Sequence, residues 1–198
     1  MVAQAHTVAF LGVEARPIEV QCAISQGMPA FNVVGLPDKA VSESKERVRA
    51  ALNAIGVALP SGRITINLSP ADLPKAGSHY DVPIALALMA ALDIVPIDEV
   101  EGNVAMGELA LDGTLKPVGG ALPAAVAAAA QGRGLICPAI CGSEAAWVGS
   151  AEIVAPASLI SLVNHFTGRE PLAPPQPGQV THRRDGADLV THQFDAFL

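Results

Sequence analysis

The run Arg63-Ile64-Thr65-Ile66-Asn67-Leu68 alternates polar and apolar residues, which is the period of a strand with one buried face. A loop rich in Pro, Gly and Ser follows over residues 69–79. The mostly apolar stretch 81–92 then predicts a buried helix with Asp81 as its N-terminal cap. A strand, a loop and a helix in this order predict a sheet that carries at least one layer of helices.

The same reading extends along the chain in both directions. Near alternation predicts strands at 7–10, 18–24 and 31–34. Besides 81–92, two further segments have the apolar content or stripe of helices, and they are 39–55 and 121–131. Short strands are expected at 103–106, 134–137 and 152–154, a hairpin around Asp112-Gly113, and helices at 142–148 and 158–166. The predicted fold class is α/β (α+β), with a mixed sheet flanked by helices.

The periodic pattern fails after Thr167. Residues 171–178 form a Pro-rich segment, and the remainder to Leu198 has no sustained period. We therefore expect one domain over 1–167, followed by a Pro-rich linker and a disordered tail over 168–198.

The composition limits the classes of function. Hydrophobic residues make up 51% of the chain, which favours a packed domain, and the formal net charge is −7. An acidic chain can contact nucleic acid only through a local basic patch. The three cysteines indicate a reducing cytoplasm, and the spacing of Cys137 and Cys141 lacks the second ligand pair of a zinc site. No apolar run is long enough to cross a membrane.

Two kinds of catalytic centre can be weighed from the residues. No G-x-x-x-x-G-K-[ST] motif is present to cradle the phosphates of ATP, since Gly119-Gly120 lacks the lysine and the hydroxyl. Ser78, His79 and Asp81 could be read as a Ser-His-Asp triad, but neighbours in sequence rarely point at one another. The simpler reading is a loop with local hydrogen bonds that leads into a helix.

Five stretches together carry a resemblance to a known family. They are VVGLPDKAV at 33–41, ESKERVRAA at 43–51, RITINLSPADLPK at 63–75, DVPIALA at 81–87 and GELALDG at 107–113. In this order they resemble the N-terminal domain of the magnesium-chelatase-like AAA+ ATPases, the YifB/ComM competence-protein family. The resemblance implies a ribosomal protein S5 domain 2-like fold, which is shared with the proteolytic domain of Lon and the C-terminal domain of RadA.

The implied relation to Lon can be checked at two positions. Lon has its catalytic serine in P-K-D-G-P-S-A-G, and an ungapped match places His79 at the serine, with Ser78 one position early. Its catalytic lysine follows G-G-L, and Leu122 stands at that position here. A Ser–Lys dyad needs an amine to take the hydroxyl proton, so the resemblance implies a degenerate peptidase centre. A Lon-like hydrolase that uses Ser78 with Lys75 or His79 is the enzymatic alternative.

The resemblance also implies partners. Proteins of this family are hexameric helicases that promote branch migration of DNA during natural transformation. We expect this chain to support hexamer assembly and DNA engagement, with ATP and Mg²⁺ bound by an ATPase domain that is expected to be absent here. A pure oligomerisation scaffold is the third interpretation.

Five cations are candidate contacts to DNA or to a neighbouring subunit. Lys45 and Arg49 share a helix face, whereas Arg47 faces Glu43, which could simply neutralise it. Arg63 and Lys75 are weaker candidates, and Lys75 can also be read as a solvent-exposed loop lysine.

Overall fold

A computed structural model describes residues 2–179 as a seven-stranded sheet with helices on both faces and a separate two-stranded hairpin. The strands of the large sheet are β1 (Val2–Leu11), β2 (Glu14–Ser25), β3 (Ala30–Val34), β4 (Arg63–Ser69), β5 (Asn103–Ala105), β8 (Gly134–Ile136) and β9 (Ile153–Val154). The hairpin is β6 (Glu108–Leu109) and β7 (Leu115–Lys116). The helices are α1 (Lys39–Ala54), α2 (Asp81–Ala91), α3 (Ile97–Glu101), α4 (Ala121–Ala130), α5 (Gly142–Ala145) and α6 (Leu159–Phe166).

The large sheet is mixed, in the order β3-β4-β2-β1-β5-β8-β9. β2 pairs antiparallel with β1 and with β4, and the other four neighbouring pairs are parallel. The β1–β2 hairpin has a two-residue turn, in which Gly12 takes a φ of +63°. The predicted mixed sheet with flanking helices is therefore confirmed.

Side chains divide between two cores because successive residues of a strand point to opposite faces of the sheet. On β1, Ala5 and Ala9 pack toward the core that contains α1, α2 and α6. Val8 points the other way, into a smaller core made with α4 and α5. α2 is buried on almost every side, which explains why its sequence has no polar stripe.

The predicted cap of α2 is wrong, whereas α1 begins with a side-chain cap. Asp81 is the first residue of α2, and its carboxylate accepts hydrogen bonds from Arg47 and from the backbone of Leu109 instead of capping the helix. α1 is capped by Asp38, whose Oδ1 accepts a 2.8 Å hydrogen bond from the amide of Val41.

The chain does not leave the domain where α6 ends. Arg169 donates its amide to Asn164, and Gly178 donates its amide to the carbonyl of Ser143 at 3.0 Å. Residues 169–179 therefore lie against the domain. The remainder of the predicted tail, 180–198, lies outside the described residues, so the predicted boundary at 167/168 stays a prediction. Among residues 2–179, no helix combines the length and the apolar character that crossing a bilayer requires.

Candidate functional site

An aromatic ring fills the space between two loops, one before α2 and one before α4. The ring of Phe10, from the end of β1, lies 5.2 Å from the ring of His79, centroid to centroid. On its other side the ring meets Gly120, where an added Cβ would lie 2.6 Å from Phe10 Cζ. Gly120 also has a φ of +90°, so both space and backbone conformation require glycine there.

His79 is fixed in the domain, and its burial favours the neutral form of the ring. It is buried, and its ring Nε2–H donates a 2.8 Å hydrogen bond to the carbonyl of Val8, 71 residues earlier in the chain. Burial lowers the pKa of His79 because the protonated ring would lose its hydration. The expectation of purely local bonds for this residue is wrong, since its ring joins the loop to the sheet.

Ser78 has no activating partner among the described residues. It is half-buried and lines a cavity of about 220 Å³ together with Pro117 and Gly119. Lys75 is 1% exposed, and its Nζ donates to the carbonyl of Pro70. Within residues 2–179, no hydrogen bond joins the Ser78 hydroxyl to Lys75 or to His79.

Leu122 stands at the start of α4 and supplies no amine. Its backbone amide donates a 3.0 Å hydrogen bond to Glu144 Oε1, and its side chain lines a groove of about 820 Å³. The groove lies between α4 and the β1–β2 turn, and its lining is apolar except for Glu14. The region around the two Lon-like positions is thus filled by the ring of Phe10 and borders an apolar groove.

Arg47 is used inside the domain. Its Nε and Nη2 donate to the two carboxylate oxygens of Asp81 at 2.6 and 2.9 Å, and the amide of Leu109 donates to the same carboxylate at 3.0 Å. The Asp81 side chain is fully buried, whereas the Arg47 side chain is 22% exposed. The hydrogen bond that Arg47 donates to Asp81 is the main reason why the pKa of Arg47 is raised. Arg47 is therefore not a free surface cation, and the prediction that it contacts DNA or a neighbouring subunit is wrong. The residue that neutralises it is Asp81 and not Glu43.

The prediction of Lys75 as a surface cation is also wrong, since its side chain is buried and hydrogen-bonded within its own loop. Arg49 and Arg63 are exposed, and Lys45 is half-buried. None of these last three forms an ion pair within residues 2–179, where the salt bridges involve Arg16, Lys39 and Arg47. The structure leaves three of the five candidate cations on the surface.

The model of the family described as subunit ChlI of magnesium chelatase matches residues 19–140, more than half of the chain. The chain belongs to the YifB/ComM family of magnesium-chelatase-like AAA+ proteins. Membership in the YifB/ComM family confirms the resemblance that the five sequence stretches carry.

The YifB/ComM relatives match along most of the chain. The YifB protein of Escherichia coli is 39% identical over 184 residues, which cover 93% of this chain and 36% of that protein. Competence protein ComM of Haemophilus influenzae is 38% identical over 164 residues, covering 83% of this chain and 32% of that protein. The chain thus spans about a third of the length of these relatives.

Lon protease 2 of Bacillus subtilis is 30% identical over 130 residues, covering 58% of this chain and 23% of that protein. The Lon-like fold of this YifB/ComM-family domain is consistent with that similarity. Phe10 is near both positions matched to the Lon dyad, since its ring contacts His79 and it lines the same groove as Leu122. Phe10 could not be predicted as part of this centre, because no sequence signal links a β1 residue to loops 70 and 110 positions away.

The cysteines of this family member are buried. Burial raises the pKa of Cys137 to about 12, and Cys141 donates its thiol to the carbonyl of Val118 at 3.4 Å. In the part of the chain that the structure describes, no three His, Cys, Asp or Glu side chains are grouped to hold a metal ion. Both thiols pack in the smaller core beside α4.

Proposed function

We propose that this chain is the non-catalytic N-terminal module of a YifB/ComM-family AAA+ protein, and that it supports hexamer assembly and DNA engagement during branch migration in recombination. The observation that carries the proposal is the degenerate centre, in which a buried, hydrogen-bonded His79 and an aliphatic Leu122 stand at the two Lon-like catalytic positions. In this proposal ATP and Mg²⁺ bind to the ATPase portion of the longer family proteins. The module acts in the cytoplasm, which its three free, buried cysteines favour.

The surface cations support a local contact to phosphates. Lys45 and Arg49 are four residues apart on α1, so they share a face and repel one another slightly. A polyanion relieves that repulsion, and the overall charge of −7 confines any such contact to a local patch. Arg63 lies at the start of β4 and adds a third exposed charge.

The experiment compares this chain with its Lys45→Ala/Arg49→Ala variant. Binding to a labelled duplex and to a four-way junction is measured by fluorescence anisotropy from about 50 to about 300 mM salt. Each phosphate contact removed should lower the slope of log affinity against log salt by roughly one. The matched control is Lys116→Ala/Arg169→Ala, which removes two exposed charges that lie outside α1 and form no ion pair within residues 2–179. Equal slopes in the two double variants would contradict a specific contact through α1.

A second candidate function, a pure oligomerisation scaffold, is favoured by the apolar groove beside α4. Val13 and Val126, on opposite sides of the groove, are 93% and 53% exposed, which is unusual for a domain that works alone. Sedimentation of the same variants separates the two functions. A changed oligomeric state with an unchanged salt slope assigns Lys45 and Arg49 to a subunit interface, and no change in either measurement removes them from the proposal.

A further inference from the structure

The Pro-rich segment Pro171-Leu172-Ala173-Pro174-Pro175-Gln176-Pro177-Gly178 has a burial pattern with a period of three. Leu172, Pro175 and Gly178 are half-buried, and the other five residues of the segment are exposed. A period of three is the period of the polyproline II helix, which has three residues per turn and no internal hydrogen bonds. Four prolines fix φ near the value that this helix requires. One edge of a polyproline II-type segment therefore faces the domain.

The domain holds this segment at both ends and in the middle. The amide of Leu172 donates a 3.0 Å hydrogen bond to His165 Nδ1, and the amide of Gly178 donates one of the same length to the carbonyl of Ser143. Between them, Pro175 packs so closely on Gly142 that a Cβ added there would lie 3.0 Å from Pro175 Cβ. Because position 142 has no side chain, the proline ring can pack directly on the backbone there, and this packing position is called the seat of Pro175.

An aromatic side chain completes the contact. The indole Nε1 of Trp147 lies 3.5 Å from the position of a Cβ on Gly178. Trp147 is 48% exposed, so it is a surface aromatic residue with one side against the segment. Surfaces that bind Pro-rich segments use an aromatic residue in this way, because the preformed helix loses little entropy on binding.

We propose that α5, Trp147 and the end of α6 form a binding site for polyproline II segments, and that residues 171–178 occupy this site in cis. The site goes beyond the assembly and DNA function, since its ligand is a Pro-rich peptide and its surface includes neither the α1 cations nor the α4 groove. Its consequence is a fixed path for the chain after α6. The polypeptide after Gly178 starts from α5 and not from a free linker at Gly168.

The first experiment uses Trp147, the single tryptophan of the chain, as the reporter. Pro175→Asp removes the ring that contacts Gly142, and Pro174→Asp makes the same chemical change at an exposed neighbour. Pro175→Asp should shift the Trp147 emission to longer wavelength and raise its quenching by acrylamide, whereas Pro174→Asp should leave both unchanged. Equal spectra for the two variants would overturn the proposal.

The second experiment tests the vacated site for binding in trans. A labelled peptide with the sequence of residues 171–178 is added to the original chain and to Pro175→Asp. Because a segment attached nearby competes at an effective concentration in the millimolar range, the variant should bind the peptide at least about tenfold more tightly. A peptide with alanine in place of its four prolines is the control and should bind neither protein. Equal binding to the two proteins would contradict occupation in cis.

A third variant guards against loss of folding. Gly142→Val places a side chain where Pro175 packs, and an added Cβ there would also lie 2.8 Å from Ala155 Cβ. Far-UV circular dichroism with urea unfolding therefore establishes that each protein compared is folded. If the seat recognises the segment, folded Gly142→Val releases Trp147 but does not gain peptide binding, because the seat itself is blocked. Peptide binding to Gly142→Val equal to that of Pro175→Asp would count against recognition at this seat.

Discussion

Arg47 and Asp81 form a charge pair whose two members differ in exposure. The carboxylate of Asp81 has no access to water, and within residues 2–179 all its hydrogen bonds come from Arg47 and the Leu109 amide. Removing one partner of such a pair leaves a buried charge without compensation, which costs several kcal/mol. The pair therefore ties α1 to α2 and to the β6–β7 hairpin.

This dependence predicts different outcomes for two arginines on one helix. Arg47→Ala should lower the free energy of unfolding by about 3 kcal/mol or more, because Asp81 stays buried without its partner. Arg49→Ala should change it by less than about 0.5 kcal/mol, because Arg49 is exposed and forms no ion pair within residues 2–179. Urea unfolding of both variants provides the measurement. A small effect of Arg47→Ala would mean that Asp81 is stabilised by other groups.

The lowered pKa of His79 leads to a prediction of how the free energy of unfolding depends on pH. Burial holds its pKa in the folded chain below the usual value of 6.5, so the unfolded chain binds more protons as the pH falls below 6.5. The stability contributed by the neutral ring is fully present above pH 6.5 and is lost as the pH falls toward the folded pKa. His79→Gln keeps an N–H donor for Val8 but does not titrate, so its unfolding free energy should fall less between about pH 6.5 and 5.

The control for this prediction is the second histidine of the same kind. The pKa of His6 is also lowered, first by burial and then by the charge of Arg133, so His6→Gln should remove a separate part of the acid sensitivity. The double variant should have the flattest profile of the four proteins. An unchanged pH profile in His79→Gln would show that the ring does not stay neutral when the chain is folded.

Sequence reasoning could identify the surface of α1 but not the residue that its arginine binds. The apolar stripe that the helical period predicts has five residues, of which Val41, Val48, Ala51 and Leu52 are buried and Ile55 is half-buried. Arg47 borders that stripe, and its partner lies 34 residues away on another helix. A pairing of that kind depends on how two helices pack, and periodicity within one helix carries no information about it.

At the scale of elements, two turns each contain a glycine with a positive φ. One is the turn from β3 to α1, and the other is the β1–β2 turn. Gly35 has a φ of +100°, and an added Cβ would lie 2.1 Å from the carbonyl oxygen of Leu68 on β4. Gly35→Ala should therefore cost at least about 3 kcal/mol, because the parallel strands β3 and β4 must separate locally.

Gly12 is the control, because its φ is +63° but an added Cβ meets nothing within 4 Å. Gly12→Ala should cost only about 1 kcal/mol, the cost of the left-handed conformation alone. Thermal unfolding followed by circular dichroism compares the two variants. Similar losses would contradict the close approach of β3 to β4 at Gly35.

Regular elements could be predicted well because each has a periodic signal. The helices expected at 39–55, 81–92 and 121–131 are observed at Lys39–Ala54, Asp81–Ala91 and Ala121–Ala130. β1 and β2 are longer than predicted, because their pairing through a tight turn extends them beyond the stretches that alternate clearly. The packing of residues 171–178 was missed because a polyproline II edge has neither the helical nor the strand period.

At the scale of the whole molecule, the surface divides into regions with different chemistry. The exposed cations lie on α1 and at the start of β4, the apolar groove lies beside α4, and the Pro-rich segment lies on α5. No one of these regions contains an activated nucleophile. Neither the proposed assembly nor the proposed DNA contact therefore depends on catalysis at the Lon-like positions, although one of these positions, Leu122, lines the groove.

This separation predicts that the chain hydrolyses neither casein nor ATP, and that restoring one catalytic residue does not change this. Leu122→Lys supplies the missing amine, but His79 still stands at the serine position with its ring bound to Val8. The double variant His79→Ser/Leu122→Lys supplies both groups and removes the imidazole that contacts Phe10. Release of labelled peptide is measured for the chain, for both variants and for Ser78→Ala. Turnover by the unaltered chain that disappears in Ser78→Ala would establish the Lon-like hydrolase instead. Turnover by the double variant alone would show that the fold retains the geometry of a dyad and that its residues were lost.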